Sequence, residues 1–174
     1  MARSDSIVGD LLEEAKITGP PVDVERLAGL RNASVVSDEL DKGVSGALLR
    51  RTEGNVILVN RDHAHTRQRF TIAHELGHLL LHDGRPVIVD HVVRAHVNLR
   101  DERSSLATDR EEIDANQFAA NLLMPAPFVR ELVAKMLTRR TGDSVIPGLA
   151  KAFDVSEQAM EYRLINLGLS GSAD

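Results

Sequence analysis

The spacing of hydrophobic residues changes along the chain and separates helical from strand-like segments. In residues 5–16 the apolar side chains recur every three or four positions, as on the buried side of a helix, and Asp5 or Ser6 is available as a cap. A second, shorter helical pattern follows Asp23 and ends at Gly29. The pattern therefore predicts two helices near the start of the chain.

After these helices the period becomes that of strands. Residues 33–36 form a short β-prone run, and residues 46–51 and 55–60 flank a turn at 52–54 that contains glycine. Two such runs around a glycine-containing turn predict a β-hairpin. A small sheet thus precedes the next long helix, which is an order typical of α+β domains.

The segment from about residue 67 to residue 82 is apolar on nearly all sides. A helix without a solvated face is buried in the protein. Its polar exceptions are His74, Glu75 and His78, and buried polar side chains are costly unless they have partners. The pattern predicts a buried helix whose polar groups are satisfied together, and a metal ion would satisfy all three.

The second half of the chain is predicted to be mostly helical. Residues 87–109 are loop-like, apart from a β-prone piece at 86–89. Residues 108–124 form a helix with an acidic first turn, an apolar stripe that includes Ile113, and a proline stop. A further helix begins at Pro127.

The last segment resembles a helix-turn-helix. Two short helices are predicted at residues 146–153 and 156–167. A second helix that reads DNA should be basic, yet this one carries Glu157 and Glu161 against Arg163 alone. We therefore expect packing or partner docking here and consider direct DNA binding unlikely.

Length and composition set the scale of the protein. The 174 residues, 43% of them hydrophobic, suffice for one core. We expect a main domain at residues 1–140 and a helical segment at residues 141–174 that packs on it. The formal net charge of −5 argues against general nucleic-acid binding. No apolar run reaches the ~20 residues that span a bilayer, so a cytoplasmic protein without membrane association is expected.

The chemistry centres on a His-Glu-x-x-His pattern at residues 74–78. Residues four apart lie on one face of a helix, so His74 and His78 can both present a ring nitrogen to one metal ion. Glu75 projects beside the ion, where a carboxylate can take a proton from water, the role this motif has in zinc peptidases. The chain contains no cysteine, so imidazole and carboxylate must hold the metal, and they suit a catalytic zinc ion (Zn2+).

A catalytic zinc site needs a third protein ligand. The acidic turn of the helix at 108–124 offers Glu112, and Asn116 follows four residues later on the same face, where its amide could orient a histidine. Glu111 and Asp114 are alternatives, and the helical spacing places Asp114 nearer the inward side. The other histidines of the chain, His63, His65, His91 and His96, are expected to be loop residues rather than ligands.

The residues around both parts of this site resemble the ImmA/IrrE family of metallopeptidases. The similarity lies in residues 69–78, 112–120 and 122–125, and it extends upstream to residues 20–25 and 44–46. The resemblance implies a zincin-like fold and cleavage of a helix-turn-helix repressor to switch on the genes that it silences. Such proteins come from bacteria, phages and mobile elements, and some accompany stress-response genes.

The resemblance also assigns roles to particular residues. His74 and His78 become zinc ligands, Glu75 becomes the catalytic base, and Glu112 becomes the third ligand. One departure is visible, because the family often has glutamate where this chain has Asp114. Zincins often stabilise the oxyanion with histidine or tyrosine, for which His82 and Tyr162, the one tyrosine of the chain, are candidates.

These observations predict a zinc-dependent endopeptidase that regulates transcription by cleaving a repressor encoded nearby. The first alternative is a regulator that binds its repressor, or a toxin partner, without cutting it. Retention of Glu75 argues against that alternative, since a structural metal site has no use for a general base. The second alternative is a DNA-binding regulator that uses residues 145–167.

Overall fold

The computed structural model describes residues 2–82, 87–91, 105–138 and 145–169. Helices and strands alternate in its first part, and helices fill its second part. In the described ranges the helices and strands are α1 (Ala2–Glu14), α2 (Val24–Leu30), β1 (Ala33–Asp38), β2 (Val44–Leu49), β3 (Asn55–Asn60), α3 (His65–Leu81), β4 (Val87–His91), α4 (Ser105–Leu123), α5 (Ala126–Thr138), α6 (Val145–Phe153) and α7 (Glu157–Asn166). The predicted mixed α+β class is confirmed. Across these ranges we find no helix of the length and apolarity that crossing a membrane requires.

The chain folds into two compact units. The sheet unit comprises Val24–Ala119, and the helical unit comprises Met1–Asp23 and Ala120–Asp174. The predicted boundary between residues 140 and 141 lies outside the described residues, so the predicted division of the chain stays a prediction.

A four-stranded sheet in the order β1-β3-β2-β4 forms the base of the sheet unit. β2 and β3 are antiparallel, with Gly46 opposite Val59, and this pairing confirms the predicted hairpin. β1 pairs in parallel with β3, and β4 pairs antiparallel with β2. The β-prone piece predicted at residues 86–89 is confirmed by β4, whereas the loop prediction is wrong at its far end, because α4 already begins at Ser105.

Helix α3 packs on β2 and β3. All residues from Thr71 to His78 are buried, as predicted from the lack of a polar face. The apolar side chains of this region form a continuous core with the sheet, because strand residues alternate between the two faces and turn one set toward the helix. The buried members of this core from the two strands and the helix include Leu48, Ile57, Val59, Ile72, Ala73 and Leu76.

Helix α4 approaches α3 closely at Gly77. A Cβ atom at Gly77 would lie 3.1 Å from Cδ1 of Phe118 and 3.2 Å from Cα of Ala115. A side chain larger than hydrogen at this position would therefore force the two helices apart by a few tenths of an ångström. The buried stripe of α4 in the sheet unit is Ala115, Phe118 and Ala119. Placing Ile113 in this stripe was wrong, since its side chain is 66% exposed.

The helical unit contains α1, the last turn of α4, and α5 to α7. Helix α1 buries Val8, Leu11 and Leu12. It begins at Ala2, so Asp5 and Ser6 lie inside the helix and the prediction that one of them caps it was wrong. Asp5 instead accepts a hydrogen bond of 2.7 Å from Nδ2 of Asn121.

Candidate metal centre

Helix α3 brings two imidazoles together at its buried centre. The rings of His74 and His78 lie one helical turn apart with centroids at 4.6 Å, and their Nε2 atoms are 3.0 Å from each other. Glu75, on the same turn, is fully buried. The helix period thus places both Nε2 atoms at one point, as the spacing predicted.

Helix α4 adds a carboxylate at the same point. Oε2 of Glu112 lies 3.2 Å from Nε2 of His74, and Oε1 lies 3.2 Å from Nε2 of His78. The histidine side chains are 1% exposed, whereas the Glu112 side chain is 40% exposed. The three side chains, which we call the ligand cluster, are therefore reached from solvent on the side of the carboxylate.

Asn116 contacts one imidazole on the side away from Glu112. Its Oδ1 atom lies 3.0 Å from Nδ1 of His74. An amide oxygen accepts hydrogen bonds, so Nδ1 donates, and in the neutral ring Nε2 then carries a lone pair. This lone pair faces the carboxylate of Glu112, so a proton or a metal ion between the two atoms would satisfy both.

The ligand cluster fits a metal ion. Its ligand atoms all lie within 4.8 Å of one another. Ligands about 2.0–2.1 Å from a tetrahedral metal are about 3.3 Å apart, close to the 3.0 and 3.2 Å separations seen here. Two imidazoles and one carboxylate are also a donor set that leaves one coordination position open.

The surroundings of Glu112 favour its ionised form. Partial burial raises the pKa of its carboxyl group, but hydrogen bonds and charge interactions with His74 and His78 outweigh burial. The net result is a pKa well below the ordinary value of glutamic acid. The carboxylate form is therefore the one that this cluster favours.

The backbone of β2 passes close to Glu75. A Cβ atom at Gly46 would lie 3.7 Å from Oε1 of Glu75 and 2.6 Å from the carbonyl oxygen of Leu58, and it would collide with the side chain of Thr71. Only glycine allows the strand to run this near the helix. Gly46 thus places strand β2 beside the carboxylate.

His82 and Arg50 lie at the end of α3, next to the ligand cluster. The His82 ring packs 5.4 Å from that of His78, and its Nε2 atom is 3.1 Å from the carbonyl oxygen of Glu111. Burial, and then the neighbouring His78, lower the pKa of His82. Arg50 donates from Nη2 to the carbonyl oxygens of His78 and His82. Sequence reasoning missed Arg50, because nothing in its local pattern indicates a contact 28 residues away.

The remaining predicted site residues lie outside the ligand cluster. The side chain of Asp114 is exposed and that of Glu111 is half-buried, so the expectation that Asp114 lies nearer the inward side was wrong. The backbone carbonyl group of Glu111 contacts His82. Tyr162 is on α7 in the helical unit and is 56% exposed. The oxyanion roles considered for Tyr162 and His82 stay predictions.

The other histidines have different positions. His63 is half-buried in the turn before α3, and His65 is exposed in its first turn. Neither belongs to the ligand cluster. The side chain of His91 and the whole of His96 lie outside the described residues.

Comparison with known proteins places the chain among metallopeptidase-like sequences. Residues 32–165 match the model of a peptidase family, M78, described as the IrrE N-terminal-like domain. The chain is 35% identical over 112 residues to the "Radiation response metalloprotease IrrE" of Deinococcus radiodurans, in a match that covers 64% of this chain and 31% of that protein. The protein of the same name from Deinococcus deserti is 37% identical over 115 residues, and the match covers 64% of this chain and 36% of that protein.

Two further similarities come from a phage protein and from a solved structure. The "Uncharacterized immunity region protein 2" of Bacillus phage phi105 is 28% identical over 115 residues, covering 66% of this chain and 64% of that protein. A Mycobacterium tuberculosis transcriptional regulator shares the fold with a TM-score of 0.65 at 18% identity, over 94% of this chain and 46% of that one. In each of these comparisons the match spans less than two thirds of the relative's own length.

Proposed function

Because the chain belongs to the IrrE N-terminal-like domain family of peptidases, we propose that it is a zinc-dependent endopeptidase acting on a transcriptional regulator. The observation that carries the proposal is the convergence of His74, His78 and Glu112 on one point, with ligand atoms 3.0 to 3.2 Å apart. Convergent acceptor atoms are costly to bury without a cation, so the arrangement favours a bound metal.

The ligand cluster would hold the ion through two imidazole nitrogens and one carboxylate. We propose zinc, since imidazole with carboxylate is the donor set of catalytic zinc sites in peptidases. A zinc ion held there would polarise a peptide carbonyl and lower the pKa of a water molecule. Asn116 keeps His74 in the tautomer that presents Nε2 to the ion.

Glu75 is the proposed catalytic base. It is adjacent to His74 in sequence and fully buried, and the backbone of β2 at Gly46 runs beside it. A carboxylate shielded from bulk water in this way accepts a proton from the attacking water and releases it toward the leaving amine. Strand β2 and helix α3 together enclose this carboxylate.

We also propose a zincin-like arrangement for the sheet unit and a helix-turn-helix-like end for the chain. In support of the first, a helix with the His-Glu-x-x-His pattern packs on a small sheet while a following helix supplies a carboxylate. In support of the second, α6 and α7 are separated by three residues and pack on each other. The division at residues 140 and 141 belongs to the same proposal.

The proposed substrate is a helix-turn-helix repressor encoded near the gene for this chain. The proposal draws on the names of its relatives, a metalloprotease of the radiation response and a protein of a phage immunity region. Both names point to regulatory settings. The peptidase would therefore relieve repression by cutting the repressor once.

The test compares wild type with Glu75→Gln. The two proteins are purified, their zinc content is measured by elemental analysis, and each is incubated with the repressor encoded beside the gene. Glutamine is nearly the same size as glutamate but does not accept the proton, so we expect zinc in both proteins and cleavage by wild type alone. Cleavage by Glu75→Gln at the wild-type rate would falsify the base assignment, and binding without cleavage by wild type would favour the non-cleaving regulator.

Direct DNA binding through residues 145–167 is the weaker reading. Glu157 and Glu161 are exposed on α7, where they would face phosphates. We expect no retardation of promoter DNA in a gel even at low salt. A retarded band that disappears steeply with added salt would contradict this expectation.

A further inference from the structure

We infer that His82 and Arg50 are positioning residues that together fix the carboxylate ligand helix against the histidine ligand helix. The inference rests on the proposed function, since it concerns the same metal site. It assigns a purpose to a histidine that belongs to neither the ligands nor the proposed base. It also assigns a purpose to an arginine that the sequence pattern did not single out.

The end of α3 is bound by Arg50. His82 follows the last helical residue and has an extended backbone, with φ −125° and ψ 124°. The final carbonyl groups of a helix lack intrahelical partners and carry partial negative charge. Arg50 donates from Nη2 to the carbonyl oxygens of His78 at 2.7 Å and of His82 at 2.6 Å. The carbonyl oxygen of His78 also accepts from the backbone N–H of His82 at 3.3 Å. The guanidinium thereby links the last turn of the helix to the residue that ends it.

The His82 ring contacts both α3 and α4. Its Nε2 atom lies 3.1 Å from the carbonyl oxygen of Glu111, and a carbonyl oxygen only accepts, so this nitrogen is the donor. The ring also packs against His78, with centroids 5.4 Å apart and planes at 54°. One side chain thus contacts a histidine of the ligand cluster and the residue that precedes Glu112.

Two hydrogen bonds join α3 to α4, one before and one after the carboxylate ligand in sequence. On one side, His82 of α3 binds the carbonyl group of Glu111; on the other, His74 binds the amide oxygen of Asn116. Glu112 lies between the two. Its own side chain is 40% exposed, so burial does not fix it and the position of its backbone must. Groups that orient ligands typically change metal affinity about 10–100-fold when removed.

The test measures zinc affinity in the full chain by competition with a chelator. Leucine at position 82 keeps bulk but removes the donor, whereas glutamine places an amide nitrogen near the position of Nε2. We expect His82→Leu to weaken zinc binding about tenfold or more and His82→Gln to restore most of the loss. His65→Leu, the same change in the exposed first turn of α3, is the matched control and should bind zinc as wild type does.

A spectroscopic readout separates positioning from simple destabilisation. The visible absorption of bound Co²⁺ reports the geometry of its ligands, so it should change in His82→Leu and in Arg50→Met but not in His65→Leu. Wild-type affinity and spectrum in His82→Leu, or equal losses in His82→Leu and His82→Gln, would overturn the inference. Failure of the proposed function has a different signature, because wild type itself would then bind no zinc.

Discussion

The two units of this protein each bury a polar cluster, and the clusters differ in how their atoms are matched. In the helical unit, Arg163 donates from Nε to the carbonyl oxygen of Met124 at 2.9 Å and from Nη1 to Oδ1 of Asn121 at 2.6 Å. Asn121 in turn donates to Asp5. In this Arg163 cluster each of these donors meets an acceptor, so the protein completes it without any added group.

In the ligand cluster of the sheet unit, acceptor atoms face one another. His74 presents a lone pair to the carboxylate of Glu112, and a second imidazole nitrogen lies 3.0 Å away. Acceptor atoms that converge need a proton or a metal ion between them, whereas donors paired with acceptors do not. The comparison separates a cluster that stabilises the fold from one that is suited to binding a metal, although both are buried and polar.

Breaking the Arg163 cluster should have the largest effect on stability. Arg163→Met removes a buried charge that is 6% exposed and leaves buried acceptors without their donor, at a cost of about 3 kcal/mol in the free energy of unfolding. Urea denaturation followed by circular dichroism measures the loss. Zinc affinity of the folded protein should not change.

The exposed Arg130 provides the control for this substitution. Arg130→Met should change the free energy of unfolding by less than about 0.5 kcal/mol. A loss below about 1 kcal/mol for Arg163→Met would show that its hydrogen bonds contribute little.

Breaking the ligand cluster should act on metal affinity instead. The free energy of zinc binding at structural sites in small domains is about 10–16 kcal/mol. Removing one ligand of three should therefore lower zinc affinity at least about 100-fold. Glu112→Gln should show this loss in a chelator competition assay, with little change in the stability of the metal-free protein. Asp114→Asn, an exposed neighbour on α4, should bind zinc as wild type does. Metal loss in Asp114→Asn alone would move the third ligand to that residue.

Changing the tautomer of His74 should have a smaller effect. Asn116→Ala removes the acceptor of Nδ1, so the ring is free to turn or to protonate Nε2, and zinc affinity should fall about 10–100-fold. Asn116→Asp retains an acceptor oxygen and should bind zinc more tightly than the alanine variant. Equal affinities of wild type and Asn116→Ala would remove Asn116 from the site.

The packing between the ligand helices should respond to a single methyl group. At Gly77 a Cβ would lie 3.1 to 3.3 Å from atoms of Phe118 and Ala115, so Gly77→Ala forces α4 outward and should cost about 1 kcal/mol of stability. At Gly9, in exposed helix, a Cβ meets nothing within 4 Å, and Gly9→Ala should stabilise by about 0.5–1 kcal/mol. Thermal denaturation compares the two, and a shift of the same sign in both would contradict the close approach.

Local patterns predicted much of the fold. The hairpin of β2 and β3 follows from alternating runs around a glycine turn, and the burial of α3 follows from its lack of a polar face. The parallel pairing of β1 with β3 was not predictable in this way, since it joins residues far apart along the chain. The exposure of Ile113 was missed for a similar reason, because helical spacing defines a stripe but not the rotation of the helix in the fold.

In the site, too, the residues that are close in sequence could be predicted and those that are distant in sequence could not. His74, Glu75 and His78 share one turn of one helix, so their spacing alone brings them together. Spacing did not distinguish Glu112 from its acidic neighbours, because that depends on how α4 lies against α3 at Gly77. Arg50 has no motif, and only the folded chain brings it to the end of α3.

The most direct test of the metal centre is anomalous diffraction from crystals of the zinc-loaded protein, with data collected on both sides of the zinc absorption edge. The account predicts one strong anomalous peak about 2.0–2.2 Å from Nε2 of His74, Nε2 of His78 and a carboxylate oxygen of Glu112. The absence of a peak there, or a peak bound by other residues, would contradict it.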